Sequence, residues 1–293
     1  MSTAVQKASF VTTLRDLAAL TKPRITLMVV ITAAGGLWLA PGALPKPLIA
    51  LMLFTTASVV AAANALNCYL ERDSDRFMTR TMNRPLPDGR MEPKVALVFG
   101  VLLGLMSVPA LTFGVNALTG LLGAIALVSY VAIYTPMKQI SPIALLVGAV
   151  PGALPPLMGW TAVTNRLDAP GLVLFAIMFL WQVPHFIAIS IFRQEEYERA
   201  GLKVLPSIRG VAYSKTMAFF YTAFLVPVSL LLVPMGVAGN LYLGTTIVLD
   251  LVFLGVAATA FLAKDERVWA KRLFITSLVY LTVLFAVLMV DAR

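Results

Sequence analysis

Asn67, Glu71 and Asp75 recur at four-residue intervals between Asn64 and Pro87, where an apolar segment gives way to alternating acids and arginines. On a continuing helix such residues drift by only about 40° per step and share one face, whereas Asp73 falls on another. Three oxygen-bearing side chains in a row suit a hard cation such as Mg²⁺, and Arg76, Arg80 and Arg84 just beyond them suit a polyanion such as diphosphate. The alternative is a solvated helix end carrying i,i+4 ion pairs. A second acidic run, Glu195, Glu196 and Glu198, lies far along the chain. Mg²⁺ takes a few carboxylates together with substrate oxygens and water, so Glu195 or Glu196 beside Asn67, Glu71 and Asp75 would suffice. Lys138, the one charge in its loop, either sets topology or closes over the diphosphate.

The elements that must position these groups are membrane helices. The 293 residues are 59% hydrophobic and 13% charged, with a mean hydropathy of +0.88, which excludes an ordinary soluble domain. Apolar runs near 25–41, 47–69, 95–113, 117–135, 142–162, 170–192, 213–235, 241–263 and 272–290 are each of a length to span a bilayer. With the N-terminus inside, every lysine and arginine except Lys46, Arg166 and Arg293 falls on one side. That bias supports nine spans, an N-terminal segment 1–24 in the cytoplasm, the C-terminus outside, and one polytopic domain over 25–293. No cleavage site follows a short apolar core near the start, so the segment reads as a mature N-terminus.

The net charge of +9 flanks spans, so orientation and anionic headgroups explain it without nucleic acid. One cysteine, Cys68, and one histidine, His185, leave neither an intrachain disulfide nor zinc-site spacing. The inside loops 70–94 and 193–212 mix carboxylates with arginines, which topology alone does not require. Gly148, Pro151, Gly152, Pro155, Pro156 and Gly159 in the fifth span and Pro184 in the sixth predict interrupted helices bounding an interior pocket. Asp250 falls mid-span in the eighth, where an acid reads as neutral and hydrogen-bonded.

The sequence resembles the UbiA superfamily of intramembrane prenyltransferases over most of its length. The resemblance is carried by Leu20-Thr-Lys-Pro-Arg-Ile-Thr26, the stretch from Asn67 to Pro85, Tyr134-Thr-Pro-Met-Lys138, Gly152-Ala-Leu-Pro-Pro-Leu-Met-Gly-Trp160, Trp181-Gln-Val-Pro-His-Phe186 and Glu195-Glu-Tyr-Glu-Arg-Ala-Gly201. The 152–160 and 181–186 blocks resemble the heme-directed branch. The family's acidic pattern falls on Asn67, Glu71 and Asp75, with Glu71 where the family usually has Asp, and Glu196 takes the Asp position of the second motif.

The resemblance implies an all-α integral membrane enzyme with nine transmembrane helices around a central cavity, in a bacterial cytoplasmic membrane. It implies Mg²⁺-dependent transfer of the farnesyl group of farnesyl diphosphate to a vinyl group of heme b, giving heme O. Asn67, Glu71, Asp75 and Glu196 are then the metal ligands, with Glu195 beside them. Arg80, Arg84 and Lys138 hold diphosphate, with Arg24 and Arg193 as further candidates, and Lys138 also acts in catalysis. His185, Trp181, Gln182 and Trp160 are candidates for contact with the heme. The substrates and the bilayer are the expected partners, with a downstream heme-modifying enzyme or a terminal oxidase assembly receiving the product. The rivals are a prenyltransferase acting on a quinone precursor ring, which would share the acidic stretch, and a transporter.

Overall fold

A computed structural model describes residues 10–293; the part of the N-terminal segment before Phe10 lies outside the described residues. No β-strand is formed among the described residues. Eight helices are long and apolar enough to cross a membrane, and a ninth crossing is a bent pair, Thr12–Leu20 with Pro23–Leu39, angled by 48°. Pro23–Leu39 is span 1, followed by Lys46–Leu70, Pro93–Gly114, Ala117–Met137, Ala144–Thr164, Ala169–Phe192, Val211–Leu230, Asn240–Phe261 and Glu266–Val290 as spans 2 to 9. Their outer faces expose large apolar side chains such as Phe54, Leu105, Met106 and Phe113. Backbone groups are satisfied within each helix, so these faces suit lipid, and the chain is an integral membrane protein.

Spans 1 to 4 pack in sequence, spans 5 to 9 form a second group, and span 5 is the most enclosed, against spans 1, 4 and 6. The first and last spans meet where Trp38 Nε1 donates to the Met289 carbonyl at 3.0 Å. Spans 1 and 5 cross with their backbones in contact. A Cβ on Gly36 would strike the Pro156 carbonyl, and one on Gly159 would strike the Ala33 carbonyl. Neither obstacle is a flexible side chain, so Gly36→Ala is expected to cost about 1–3 kcal/mol as the helices are forced apart. A fall in melting temperature of the detergent-purified variant checks this.

Several expectations change. Spans 5 and 6 are not interrupted: Ala144–Thr164 stays helical through Pro151, Pro155 and Pro156, and Ala169–Phe192 through Pro184. The irregularities lie instead at the break before Pro23 and in a π-helical turn, Ser129–Tyr134, inside span 4. Span 9 starts at Glu266, before the expected 272, because Asp265 Oδ1 accepts from Arg267 N at 2.9 Å and Val268 N at 3.0 Å and caps a charged first turn. Asp250 is hydrogen-bonded, with Ser229 Oγ donating to Oδ2 at 2.8 Å and Tyr280 OH to Oδ1 at 2.7 Å, which ties spans 7, 8 and 9 together.

Candidate active site

Span 2 ends at Leu70, with Glu71 as its C-cap, and Asp75 sits in a short 3₁₀ turn, Ser74–Phe77. The helix expected to continue through Asp75 therefore stops. Its stacking survives nonetheless, because Glu71 N donates to Asn67 O at 2.9 Å and Asp75 N to Glu71 O at 2.8 Å, the i→i+4 spacing of a helix. Asn67, Glu71 and Asp75 are all buried. Asp73, as its different face requires, is exposed and lies 3.7 Å from Arg72.

Each of the three stacked residues meets a cation from elsewhere. Lys22 Nζ donates to Asn67 Oδ1 at 2.7 Å, Lys138 Nζ to Glu71 Oε1 at 2.7 Å, and Arg84 to Asp75 Oδ2 at 2.6 Å. Lys22 occupies the break before span 1, where its backbone is left-handed (φ 48°), a costly conformation for a residue with a side chain. Asn64 Nδ2 holds this break by donating to the Thr21 carbonyl at 3.2 Å. Lys138 is brought in by the π turn. Thr135 Oγ1 donates to the Tyr130 carbonyl at 2.8 Å, across the widened turn, and accepts from Asn67 Nδ2 at 3.1 Å. The Lys138 ammonium lies 4.4 Å from the centre of the Tyr134 ring, which itself fills the space left by Gly148 of span 5.

The electrostatics follow from these pairs. Burial pushes the Glu71 carboxyl upward, but Lys138 and Lys22 outweigh it and hold its pKa below the ordinary range. Burial opposes the charge on Lys138, yet Tyr134, Glu71 and Tyr130 hold its pKa above the usual lysine range. Asp75 is pushed up by burial, with Arg84 opposing and the Glu71 charge adding. Its Oδ1 is sealed from solvent with no hydrogen-bond partner among the described residues, and a buried acceptor left this way is expensive.

The second acidic motif meets the loop that follows Asp75 through Glu196, whose Oε1 accepts from Thr79 Oγ1 at 3.2 Å. Arg193 lies 3.2 Å from Glu196 Oε2. Met78 packs with Ala200 and Leu202, and Lys203 N donates to the Lys138 carbonyl at 2.7 Å, so three loops close on one another. Glu195 does not join them: its side chain is exposed, 3.8 Å from Arg267, and lines a groove with Gln194, Glu198 and Glu266. Arg24, Arg76 and Arg80 are exposed, and none of them makes an ion pair among the described residues.

No three His, Cys, Asp or Glu side chains among the described residues stand close enough to hold a metal ion. The donors nevertheless fit a hard cation. They are oxygens, they are stacked, one of them is orphaned, and the lysines now opposite them could turn to phosphate oxygens. Lys22, Thr135 and Tyr134 are the members of this site that residue-type reasoning passed over. The visible signal for Lys22 was a lysine directly before Pro23, at a helix start.

The heme candidates separate. Trp160 sits near Thr164, at the end of span 5 opposite Lys138, with its indole against Gly171, so it stands apart from the acidic site. Gln182 braces spans 5 and 6, donating to Ala149 O at 3.3 Å and Met178 O at 3.0 Å, with Gly152 making room for its amide. Trp181 and His185 face span 9, with Trp181 Nε1 donating to the Ser277 carbonyl at 2.7 Å.

Fold and site thus define a polytopic helical membrane protein whose buried polar centre sets oxygens against cations at one end of its spans. A model of the UbiA prenyltransferase family matches residues 29–278, and the chain belongs to that family. It is 54% identical to the protoheme IX farnesyltransferase of Myxococcus xanthus, covering 97% of this chain and 96% of that protein. It is 50% identical to the protein of the same name from Sorangium cellulosum, covering 90% and 100%. Among solved structures it resembles a digeranylgeranylglyceryl phosphate synthase with a TM-score of 0.82 at 19% identity, over 95% of this chain and 98% of the other. A UbiA homolog from Archaeoglobus fulgidus bound to GPP and Mg²⁺ gives a TM-score of 0.66 at 17% identity, over 93% and 99%. At these identities the structural likeness speaks for the fold.

Proposed function

We propose that this protein transfers the farnesyl group of farnesyl diphosphate to a vinyl group of heme b, giving heme O. The observation that carries the prenyl-transfer half is the matching of Asn67, Glu71 and Asp75 with Lys22, Lys138 and Arg84. The acceptor is supported by the names of the full-length relatives.

In this reading Asn67, Glu71, Asp75 and Glu196 hold Mg²⁺, which when bound neutralises charge on the departing diphosphate. Lys138, Arg84 and Lys22 turn their donors to the phosphate oxygens, and Arg80 and Arg193 stand at the rim. The C–O bond of farnesyl diphosphate breaks with its electron pair leaving on diphosphate, and the allylic cation adds to the terminal vinyl carbon. Water captures the new cation beside the porphyrin ring and loses a proton, leaving a hydroxyl. The chain's part is to bind both substrates, place the allylic carbon against the vinyl group and keep water from the allylic cation until transfer is complete. Loops 70–94 and 193–212 form the catalytic edge of one polytopic domain over 25–293. That edge faces the cytoplasm of a bacterial cell, with the N-terminus on the same side and the C-terminus outside.

Purified protein given Mg²⁺, farnesyl diphosphate and heme b is expected to yield a heme heavier by one farnesyl group and one hydroxyl group, seen by mass spectrometry of the extracted pigment, and EDTA is expected to stop diphosphate release. Prenylation of 4-hydroxybenzoate with heme b unchanged would overturn the acceptor. Flux across proteoliposomes without diphosphate release would revive the transporter.

A further inference from the structure

Asn67 is the uncharged member of the stack that runs to Asp75, and its side chain can present the wrong atom. An amide has an oxygen at one corner and NH₂ at the other, and half a turn about its last bond exchanges them with almost no change in shape. Ionised Glu71 and Asp75 have oxygen at both corners. A hard cation takes oxygen, so the Asn67 amide has to be kept one way round.

Lys22 Nζ, which only donates, lies 2.7 Å from Asn67 Oδ1. On the other side Nδ2 lies 3.1 Å from Thr135 Oγ1. A hydroxyl can either give or take a hydrogen bond, so this contact orients the amide only if the hydroxyl proton is committed elsewhere. It is committed: Thr135 Oγ1 lies 2.8 Å from the Tyr130 carbonyl oxygen, which only accepts. Thr135 therefore meets Asn67 as an acceptor, and a reversed amide would set oxygen against oxygen with no proton between them. Both residues are buried, which keeps bulk solvent from replacing either partner.

The π-helical turn makes this pairing. Thr135 N donates to the same Tyr130 carbonyl, five residues back, and Pro136 has no N–H with which to continue an α-helical ladder. Thr135 and Lys138, about a turn apart, then face Asn67 and Glu71, about a turn apart at the end of span 2. Burial, Lys138 and Lys22 act more strongly on the Glu71 charge, but a hydrogen bond from the Asn67 side chain also favours it. In the proposed reaction Lys22 turns to phosphate and Glu71 to the metal, which leaves Thr135 to keep the amide from reversing.

We propose that Thr135 is a positioning residue: with its proton committed to the Tyr130 carbonyl, it takes the Asn67 NH₂ and keeps Oδ1 as the atom offered to the cation. This rests on the reading of Asn67 as a metal ligand. Equilibrium dialysis of ³²P-labelled inorganic diphosphate against rising Mg²⁺, with protein in detergent, reads the metal site without turnover. Thr135→Val keeps the shape and loses the hydroxyl. It is expected to raise the Mg²⁺ concentration for half-maximal binding about tenfold, the worth of about one hydrogen bond, and to leave diphosphate binding without Mg²⁺ unchanged. Thr135→Ser is expected to behave as wild type. In an Asn67→Asp background, where neither corner is NH₂, Thr135→Val is expected to have no further effect.

An unchanged Mg²⁺ requirement in Thr135→Val overturns the inference. So does an equal shift in the Asn67→Asp background, or a Thr135→Ser protein as impaired as Thr135→Val, and in each case the wild type's need for Mg²⁺ leaves the metal reading standing. Wild-type binding that ignores Mg²⁺ overturns the metal reading and the inference together. Thr135→Ala, which also lacks the hydroxyl, gives the same comparison if Thr135→Val does not fold.

Discussion

Asp75→Asn is expected to lower turnover by about three orders of magnitude or more while leaving a protein that extracts and melts much like the wild type. The carboxylate does two things that an amide does one at a time. Its Oδ2 takes the Arg84 guanidinium at 2.6 Å, and its Oδ1 is a buried acceptor with no partner among the described residues. Asparagine keeps one oxygen for Arg84 but offers N–H where a cation needs a second oxygen. The fold keeps the hydrogen bond to Arg84 and loses the charge and the second oxygen, and removal of one group that acts on developing charge typically costs 10²–10³-fold or more. Glu71→Gln is expected to behave alike. Steady-state diphosphate release, measured beside thermal melting in detergent, separates lost chemistry from lost folding. Retained activity in both variants would sink the metal assignment.

Lys138→Met should damage both properties, and a double variant can divide them. The lysine is the 2.7 Å partner of Glu71 and sits over Tyr134. Removing it leaves a buried carboxylate without its counter-ion, a change that costs about 3 kcal/mol in comparable buried pairs. In the proposed mechanism it also removes a donor to the departing diphosphate, worth about 10²–10³-fold in rate. Adding Glu71→Gln neutralises the stranded acid, so stability is expected to return toward wild type while activity stays lost. If the double variant regained activity along with stability, Lys138 would be only a counter-ion of Glu71 and not a diphosphate ligand. Lys22→Met offers the parallel test at Asn67. It also relieves nothing at the backbone, because the left-handed conformation at that position belongs to the turn before Pro23.

How much of this could be read beforehand varied with the range of the interaction responsible. The spacing of Asn67, Glu71 and Asp75 is local, and even where the helix ends at Leu70 two i→i+4 hydrogen bonds preserve it. The spans were legible because about twenty apolar residues in a row have few other fates; their ends moved by more than two residues only in span 9, where Asp265 caps an earlier start, and in span 7, which stops at Leu230 short of the expected 235. Prolines misled. Pro151, Pro155, Pro156 and Pro184 suggested broken helices, but spans 5 and 6 are enclosed on most sides, and packing held them straight enough to remain helical. Trp160 and Glu195 were drawn in by motif membership and placed elsewhere by the fold.

By itself the sequence determined a helical membrane protein, the face on which its polar groups gather, and the stack of oxygens from Asn67 to Asp75. These depend on hydropathy, charge asymmetry and helical pitch, all of which act within a few turns of chain. Only the tertiary structure decided which cation meets which oxygen. Lys22 lies 45 residues from Asn67, and Lys138 lies 67 from Glu71, and nothing in either one's neighbours states its partner. The same holds for the hydroxyl of Ser277 against His185, 92 residues away. A hydrogen bond needs its atoms within about 3 Å, and across such separations only the packing of whole spans sets that distance.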